Sequence, residues 1–267
     1  MTTPTPESPV SLRHSHSPAG APIAALTVHN GPLNLFDQPV FDSLAAALAK
    51  LTADPPRALL VKAEGKVTSA GVDVHLFDGL TPEQGAALWE TLFDTIIHPL
   101  EALPCPVVFA AHGLTLTAAF EIALACDLIV ASPTAKFGLV EKVVGLTPSM
   151  GGPQRLAERA GSGRARELVM SADLYDAETM RTWGVVNGVH DDVHDVAIDL
   201  VSRLADGPTK AHAATKAIIA AWRHGDVGRA DDLVPTVSGE LFGTADLRGA
   251  VRSFLADGPG KAHYTGA

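Results

Sequence analysis

Short apolar runs alternate with longer amphipathic stretches through the first half of the chain. Four runs rich in β-branched residues predict strands, namely IAALTV (23–28), ALLVKA (58–63), PVVFAA (106–111) and DLIVAS (127–132). Apolar residues at helical spacing predict the intervening helices, over 36–51, 81–103 and 116–125. Strands that are apolar on both faces and separated by helices are typical of a largely parallel sheet with both faces covered. The predicted fold class is therefore α/β.

The two ends of the chain have a different pattern. From about Gly151 onward strand signals nearly vanish, and helical stretches such as PTKAHAATKAIIAAWRH and DLRGAVRSFL dominate. We expect this helical region to cover the sheet or to pack between subunits. Residues 1–20 are polar and rich in Pro and Ser, without the basic start and apolar run of a secretory signal. They are expected to form a flexible tail.

Composition narrows the possible functions. The chain has 267 residues, with 20 Lys and Arg against 30 Asp and Glu, a net charge of −10. This acidic balance argues against a nucleic-acid partner. Only two cysteines are present, which favours a reducing cytoplasm and excludes a disulfide framework. The apolar stretch 104–132 contains Glu121 and Asp127 and divides into strand, turn, helix and strand, so no membrane segment is expected.

Glu121 is the first candidate for chemistry. Its neighbours one turn away on the predicted helix are small, apolar or hydroxyl-bearing, and none is basic. Such surroundings favour the protonated carboxyl and bring it into the range of general acid or base catalysis at neutral pH. The alternative is a glutamate at the helix edge that reaches water. Ala118 precedes it by one turn, where backbone N–H groups at a helix start are free to bind a carbonyl oxygen.

Three further segments carry weaker signals. Glu141 follows the AKFG turn, but its neighbour Lys142 makes a surface ion pair the simpler interpretation. Gly71 permits a sharp turn that exposes the N–H of Val72 before a helical turn at Asp73. The segment TPSMGG resembles a turn into a helix capped by Thr147 or Ser149. His190 and His194 have the i,i+4 spacing of metal ligands, but no third ligand is evident, and no metal site is predicted.

Five segments follow one another in a characteristic order and spacing, namely LTVHNGPLNLFD, LLVKAEGKVTSAGVDV, PCPVVFAAHGLTLTAAFEIALACDLIVAS, AKFGLVEKVVGLTPSMGG and FLADGPGKAHYTG. Together they resemble the enoyl-CoA hydratase/isomerase (crotonase) family. The resemblance implies a crotonase-like ββα spiral core over 21–200 and a C-terminal helical oligomerisation region over 201–267. It also implies a homotrimer or a dimer of trimers, with the C-terminal helices at the interface.

The resemblance assigns roles to specific residues. The backbone N–H groups of Val72 and Ala118 correspond to the oxyanion hole that holds a thioester carbonyl. Glu121 and Glu141 correspond to the two acids that hold a water and transfer its protons. We assign Glu121 as the base and Glu141 as the acid, with the reverse assignment left open. Contacts to CoA, mainly through the backbone, are implied for Ala70, Val72, Asp73, Val74, His75 and Ala118.

The implied activity is that of a lyase of fatty acid metabolism, an enoyl-CoA hydratase that converts a 2-enoyl thioester to a 3-hydroxyacyl thioester. CoA enters only as part of the substrate, and no separate cofactor is implied. The alternatives are a double-bond isomerase, a dehydratase acting on a carrier-protein thioester, and a non-catalytic scaffolding homologue. The sequence departs from the family at Thr117, Ala118 and Ala119, which replace a glycine triplet and narrow the thioester space. Lys142, next to Glu141, would hold that acid ionised.

Overall fold

A six-stranded sheet forms the centre of the molecule, in a computed structural model that describes residues 8–267. The strands of this sheet and of a smaller one are β1 Val10–His16, β2 Pro22–Val28, β3 Ala58–Ala63, β4 Val107–Ala111, β5 Leu114–Leu116, β6 Leu128–Ala131, β7 Lys136–Gly138, β8 Tyr175–Asp176 and β9 Gly188–Val189. The central sheet has the order β1-β2-β3-β4-β6-β9, and the smaller sheet has the order β5-β7-β8. In the central sheet, every pair is parallel except β1 with β2.

Helices fill most of the remaining chain. They are α1 Gln38–Ala53, α2 Pro82–Leu92, α3 His98–Ala102, α4 Ala118–Ala125, α5 Gly152–Ala160, α6 Ser162–Ser171, α7 Ala177–Thr182, α8 Val193–Ala205, α9 Thr209–Arg223, α10 Val227–Leu241 and α11 Ala245–Asp257. Two 3₁₀ turns cover Val74–Phe77 and Glu141–Val144, and a π-helical turn, Phe93–Ile97, joins α2 to α3. In the part of the chain that the structure describes, every helix is too short or too polar to cross a membrane.

The register of the parallel strands sorts their side chains onto two buried faces. Leu26, Val61, Phe109 and Ile129 stand side by side across four strands, and all belong to the main core with α1. The next row along the strands points to the other face because strand side chains alternate. There Leu60 and Val108 pack with residues of α8. The sheet is thus parallel and covered on both sides, which confirms the predicted α/β class.

Residues 10–16 form a strand, so the expectation of a flexible tail over 1–20 is wrong for this part. The strand pairs antiparallel with β2 over its full length, from Val10 beside Val28 to His16 beside Pro22. Val10 is buried in the main core, while the polar residues after it remain largely exposed. A strand at a sheet edge is held by backbone hydrogen bonds, which side chains of any polarity allow. The polar composition of this segment therefore gave no sign of a strand. Residues 1–7 lie outside the described residues.

The small sheet supports the start of helix α4. Strand β7 pairs parallel with β5, so the AKFG segment is a strand and not the predicted turn. Phe137 of β7 is fully buried, and its ring centroid lies 5.2 Å from that of Phe120 in α4. Aromatic burial of this kind stabilises the fold by about 1.5–3 kcal/mol per side chain. It also holds α4 directly against the strand that leads to Glu141.

The C-terminal region is helical, as the sequence predicts. Helices α9 and α10 pack against each other. The Lys216 ammonium of α9 donates to the Asp127 carboxylate at 2.8 Å and to the carbonyl oxygen of Cys105 at 2.9 Å. This contact ties α9 to the ends of the central strands. Large apolar side chains remain exposed beyond it, among them Phe242, Phe254 and Leu255.

Candidate active site

Helix α4 places Glu121 inside the protein. All eight residues of the helix are buried, and Glu121 is only 3% exposed. Its Oε1 atom accepts hydrogen bonds from the N–H groups of Met150 at 2.9 Å and Gly152 at 2.8 Å. The alternative of a glutamate that reaches water at a helix edge is therefore wrong. Every side of this helix is covered.

The start of helix α5 holds the Glu121 carboxylate. Gly151, with φ +95°, precedes the helix, and no side chain within residues 8–267 caps it, so the predicted capping by Thr147 or Ser149 is wrong. The free N–H groups at a helix start favour a negative charge. Here the carboxylate comes from Glu121, 31 residues earlier in the chain. Burial nevertheless dominates and raises the pKa of Glu121 to about 7, while these two N–H donors and the Arg155 charge act to lower it.

Glu141 begins the 3₁₀ turn after β7 and lies in a different environment. Its Oε2 atom is buried and has no hydrogen-bond partner among the described residues. Burial, and then the neighbouring charge of Glu121, raise the pKa of Glu141 to about 8. Lys142 turns away and donates to the Met170 carbonyl oxygen at 2.9 Å. The surface ion pair proposed between Glu141 and Lys142 is therefore wrong, and this lysine does not hold the acid ionised.

The loop after β3 turns at Gly71, whose φ of +129° suits glycine. Asp73 caps the 3₁₀ turn that follows: its Oδ1 atom accepts from the N–H of His75 at 3.1 Å and contacts the His75 ring at 2.6 Å. That histidine holds the pKa of Asp73 below its usual value. The sharp turn and the helical turn expected here are both present.

Two backbone segments meet at the centre of the site. Ser69 pairs with Thr115, and the N–H of Leu116 donates to the Ser69 carbonyl oxygen at 3.1 Å. Gly71 consequently lies against Thr117, so closely that a Cβ atom at Gly71 would stand 3.4 Å from the threonine hydroxyl.

The residues that follow in the two segments, Val72 and Ala118, are therefore neighbours. Within residues 8–267, the N–H groups of both residues donate to no protein acceptor. Two unpaired backbone donors thus lie on adjoining segments.

Both glutamates line one cavity of about 240 Å³. Of the predicted substrate contacts, Ala70, Val72 and Val74 also line it, whereas Asp73, His75 and Ala118 do not. Most of the remaining wall is apolar and comprises Phe41, Leu76, Phe77, Leu88, Trp89, Leu92, Val143, Val144, Leu146 and Met150. Ala118 and Ala119 are 1% and 2% exposed and pack into the core. Their methyl groups therefore do not fill the cavity.

Sequence reasoning missed the ion pair that supports this arrangement. Arg155 of α5 is buried and donates from Nε to Glu101 Oε1 at 2.8 Å. Its Nη1 atom also lies 3.3 Å from the carbonyl oxygen of Gly151. These contacts fix the first turn of α5, whose N–H groups hold Glu121. No local sequence pattern indicates that residues 101 and 155 form a pair, although the sequence does show an arginine one helical turn after two glycines.

Comparison with known proteins identifies the family. The family model for enoyl-CoA hydratase/isomerase matches residues 19–259. The chain belongs to the enoyl-CoA hydratase/isomerase family. The resemblance stated from the sequence segments is thereby confirmed, and so is the crotonase-like fold class with its C-terminal helical region.

Individual members of this family are related at modest identity. A Mycobacterium tuberculosis protein named "Probable enoyl-CoA hydratase EchA17" is 33% identical over 218 residues, 80% of this chain and 83% of that protein. The short-chain-enoyl-CoA hydratase of Clostridium acetobutylicum is 29% identical over 199 residues, 74% of this chain and 76% of that protein. The crystal structure of a Bacillus anthracis enoyl-CoA hydratase superposes with a TM-score of 0.87. It is 22% identical and covers 97% of this chain and 100% of its own, so this comparison concerns the fold alone.

Proposed function

We propose that the protein is an enoyl-CoA hydratase, a lyase that adds water across the 2,3 double bond of an enoyl thioester. One observation carries the proposal. Glu121 and Glu141, separated in the chain by strands β6 and β7, line the same apolar cavity and have raised pKa values. Hydration needs one group that removes a proton from water and another that delivers a proton to carbon.

The backbone donors supply the electrostatic part of the reaction. Addition of water to a conjugated thioester places negative charge on the thioester oxygen. In the proposed complex, the N–H groups of Val72 and Ala118 hold that oxygen and stabilise the enolate. Loss of one such donor typically raises the barrier by about 2.7–4 kcal/mol. Side chains at these positions matter little for this role, because the donors belong to the backbone.

The surroundings of the two acids favour Glu121 as the base. Its carboxylate accepts two backbone hydrogen bonds, which stabilise the ionised form, whereas the Oε2 atom of Glu141 has no partner in the described chain. The negative charge of Glu121 also favours a protonated Glu141. Pairs of acids with different environments divide the acid and base roles in this way.

The two glutamates together account for every proton that moves in the reaction. Glu121 takes a proton from water as the oxygen bonds to C3, and Glu141 gives its proton to C2. The product is a 3-hydroxyacyl thioester, and one proton passes from Glu121 to Glu141 to restore the starting state. The reverse reaction, dehydration, uses the same two groups in the opposite sense.

The cavity supports an acyl-CoA of short or moderate length. Its volume of about 240 Å³ lies just below the range of drug-sized ligand sites. Aromatic and aliphatic side chains from α2, including Leu88, Trp89 and Leu92, offer an apolar wall for the acyl chain. The Clostridium acetobutylicum relative is itself named a short-chain enzyme. We propose CoA contacts for Ala70, Val72, Asp73, Val74, His75 and Ala118, with CoA serving as part of the substrate.

The remaining expectations concern assembly and location. We propose a homotrimer or a dimer of trimers, in the cytoplasm. The apolar residues Phe242, Phe254 and Leu255 of the C-terminal region are 71%, 59% and 79% exposed. Exposed apolar groups of this number support burial against another subunit. Sedimentation of the purified protein separates a trimer from a hexamer.

The function is tested with crotonyl-CoA, by following the loss of its conjugated absorbance. We expect turnover by the native protein and a loss of about 10²–10⁴-fold in Glu121→Gln and Glu141→Gln. Glu178→Gln is the matched control, because Glu178 is exposed and pairs with Arg181 on the surface. No turnover of short or long enoyl-CoA thioesters by the native protein would reject the proposal. Full isomerase activity in Glu121→Gln would instead assign the site to a double-bond isomerase.

A further inference from the structure

Thr117 has a backbone conformation that is unusual for its side chain. Its φ is +49° and its ψ is −123°. This combination lies outside the left-handed helical region, and any positive φ makes a β-branched residue a genuine outlier. Asn34 and Ala172 also have positive φ, but asparagine adopts it readily and alanine is not β-branched. Threonine at this position therefore carries backbone strain that glycine would not have.

Hydrogen bonds on both sides hold this conformation. The N–H of Thr117 donates to the Gly138 carbonyl oxygen at 3.0 Å, and the Thr117 carbonyl oxygen accepts from the N–H of Glu121 at 2.9 Å. The first bond ties the residue to β7 and the second begins helix α4. The position of the side chain is consequently fixed by the two elements that carry the glutamates.

The Thr117 hydroxyl is buried without a partner in the described part of the chain. The residue is 7% exposed, and Oγ1 makes no hydrogen bond. A buried, unpaired hydroxyl destabilises the folded protein, because the group has lost its hydrogen bonds to water. Thr117 thus combines backbone strain with an unpaired polar atom, a combination found at sites that bind a ligand.

The hydroxyl lies beside the two proposed backbone donors. Thr117 lines the same cavity as Glu121 and Glu141. A Cβ atom at Gly71 would be 3.4 Å from Thr117 Oγ1, and Gly71 directly precedes Val72. Ala118, which carries the other donor, directly follows Thr117. The hydroxyl is therefore near any oxygen that these two N–H groups hold.

We propose that the Thr117 hydroxyl donates a third hydrogen bond to the thioester oxygen of the substrate. The inference rests on the proposed function, since it requires an acyl-CoA thioester in the cavity. Only a hydrogen bond is involved, and the hydroxyl proton stays on Thr117. The bond strengthens as the oxygen becomes an enolate, so it lowers the barrier more than it tightens substrate binding.

Threonine variants separate the hydroxyl from the shape of the side chain. Thr117→Val keeps the β-branch and removes the hydroxyl, and we expect kcat to fall about 10²-fold with little change in KM. Thr117→Ser keeps the hydroxyl and should retain most of the activity. Thr115→Val is the matched control: Thr115 Oγ1 is also buried and unpaired, but that residue does not line the cavity. We expect it to turn over crotonyl-CoA as the native protein does.

A second measurement does not depend on turnover. The infrared carbonyl band of bound acetyl-CoA, labelled with ¹³C at the thioester carbon, reports hydrogen bonding to its oxygen. We expect a lower frequency in the native protein, in Thr117→Ser and in Thr115→Val than in Thr117→Val. An unchanged band and unchanged kcat in Thr117→Val would overturn the inference, as would a Thr117→Gly variant that is faster than the native protein.

The two readouts distinguish the possible failures. A native protein that binds acetyl-CoA with a shifted carbonyl band but does not hydrate crotonyl-CoA would reject the proposed function and leave the hydroxyl contact standing. A native protein that hydrates crotonyl-CoA while Thr117→Val keeps the native band would reject the contact alone. A native protein that shows no bound thioester at all would reject both.

Discussion

The N–H of Gly152 donates to the Oε1 atom of Glu121 at 2.8 Å, and there is no room for a side chain at the donor. A Cβ atom at Gly152 would stand 2.9 Å from that same Oε1 atom and 3.0 Å from Leu139 Cδ1. The glycine therefore performs two tasks: its N–H holds the carboxylate, and its missing side chain leaves space for it. Placement of Glu121 depends on residue 152 as much as on helix α4.

Gly152→Ala should remove activity while both glutamates remain. The methyl group displaces the Glu121 carboxylate, and a misplacement of about 1 Å costs roughly 10²-fold in rate. Crotonyl-CoA hydration measures the loss. Gly163→Ala is the control, because Gly163 also lies in the first turn of a helix, α6, with open space around its Cβ position. Native rates in Gly152→Ala would contradict the role given to this glycine.

The pH dependence of kcat/KM should be bell-shaped with a narrow maximum between about 7 and 8. In the proposed mechanism, the active form has an ionised Glu121 and a protonated Glu141. Activity falls on the acid side as Glu121 is protonated below its pKa of about 7. It falls on the alkaline side as Glu141 ionises above its pKa of about 8. A rate that stays constant from pH 5 to pH 9 would exclude this pair as the acid and base.

Glu141→Gln should stabilise the protein, and more so at higher pH. The pKa of Glu141 is about 8 in the folded protein against an ordinary value of 4.5, so the folded state keeps a proton that the unfolded chain releases. Between these two values the native protein loses stability as the pH rises. Glutamine has no proton to lose, and the Tm difference should therefore grow from pH 5 to pH 8. Thermal unfolding at both pH values measures it, and an equal Tm difference would contradict the raised pKa.

Arg155→Met should both destabilise the fold and shift the acid limb of the pH profile. Loss of this buried ion pair should lower the free energy of unfolding by about 3 kcal/mol. This value is the low end of the usual range, because Glu101 keeps a 2.6 Å contact with Arg223. The Arg155 charge lowers the pKa of Glu121, so its removal moves the acid limb to higher pH.

Urea unfolding and a kcat/KM profile provide the two measurements for this variant. Arg181→Met, which breaks only the exposed pair with Glu178, should change the free energy of unfolding by less than about 1 kcal/mol. An acid limb that stays in place in Arg155→Met would show that this arginine does not act on Glu121.

The strand and helix pattern was predictable because apolar residues that become buried recur at regular spacing along the sequence. Runs such as ALLVKA and PVVFAA are apolar at every position except Lys62, and in the structure neighbouring residues such as Leu60 and Val61 pack on opposite covered faces. Strand β1 was not predictable in this way. It has only Val10 in the main core and otherwise depends on backbone pairing with β2, which leaves little trace in the side chains.

The sequence by itself determined the fold class and the family and indicated the two candidate acids, since each depends on residue types in a fixed order. Only the tertiary structure decided the environment of each acid. The donors to Glu121 come from residues 150 and 152. Burial, and then the charge of Glu121 on helix α4, raise the pKa of Glu141. The proximity of Thr117 to Gly71 likewise required the folded chain. Protonation and hydrogen bonding depend on distances in space, and these distances between remote segments do not appear in local periodicity.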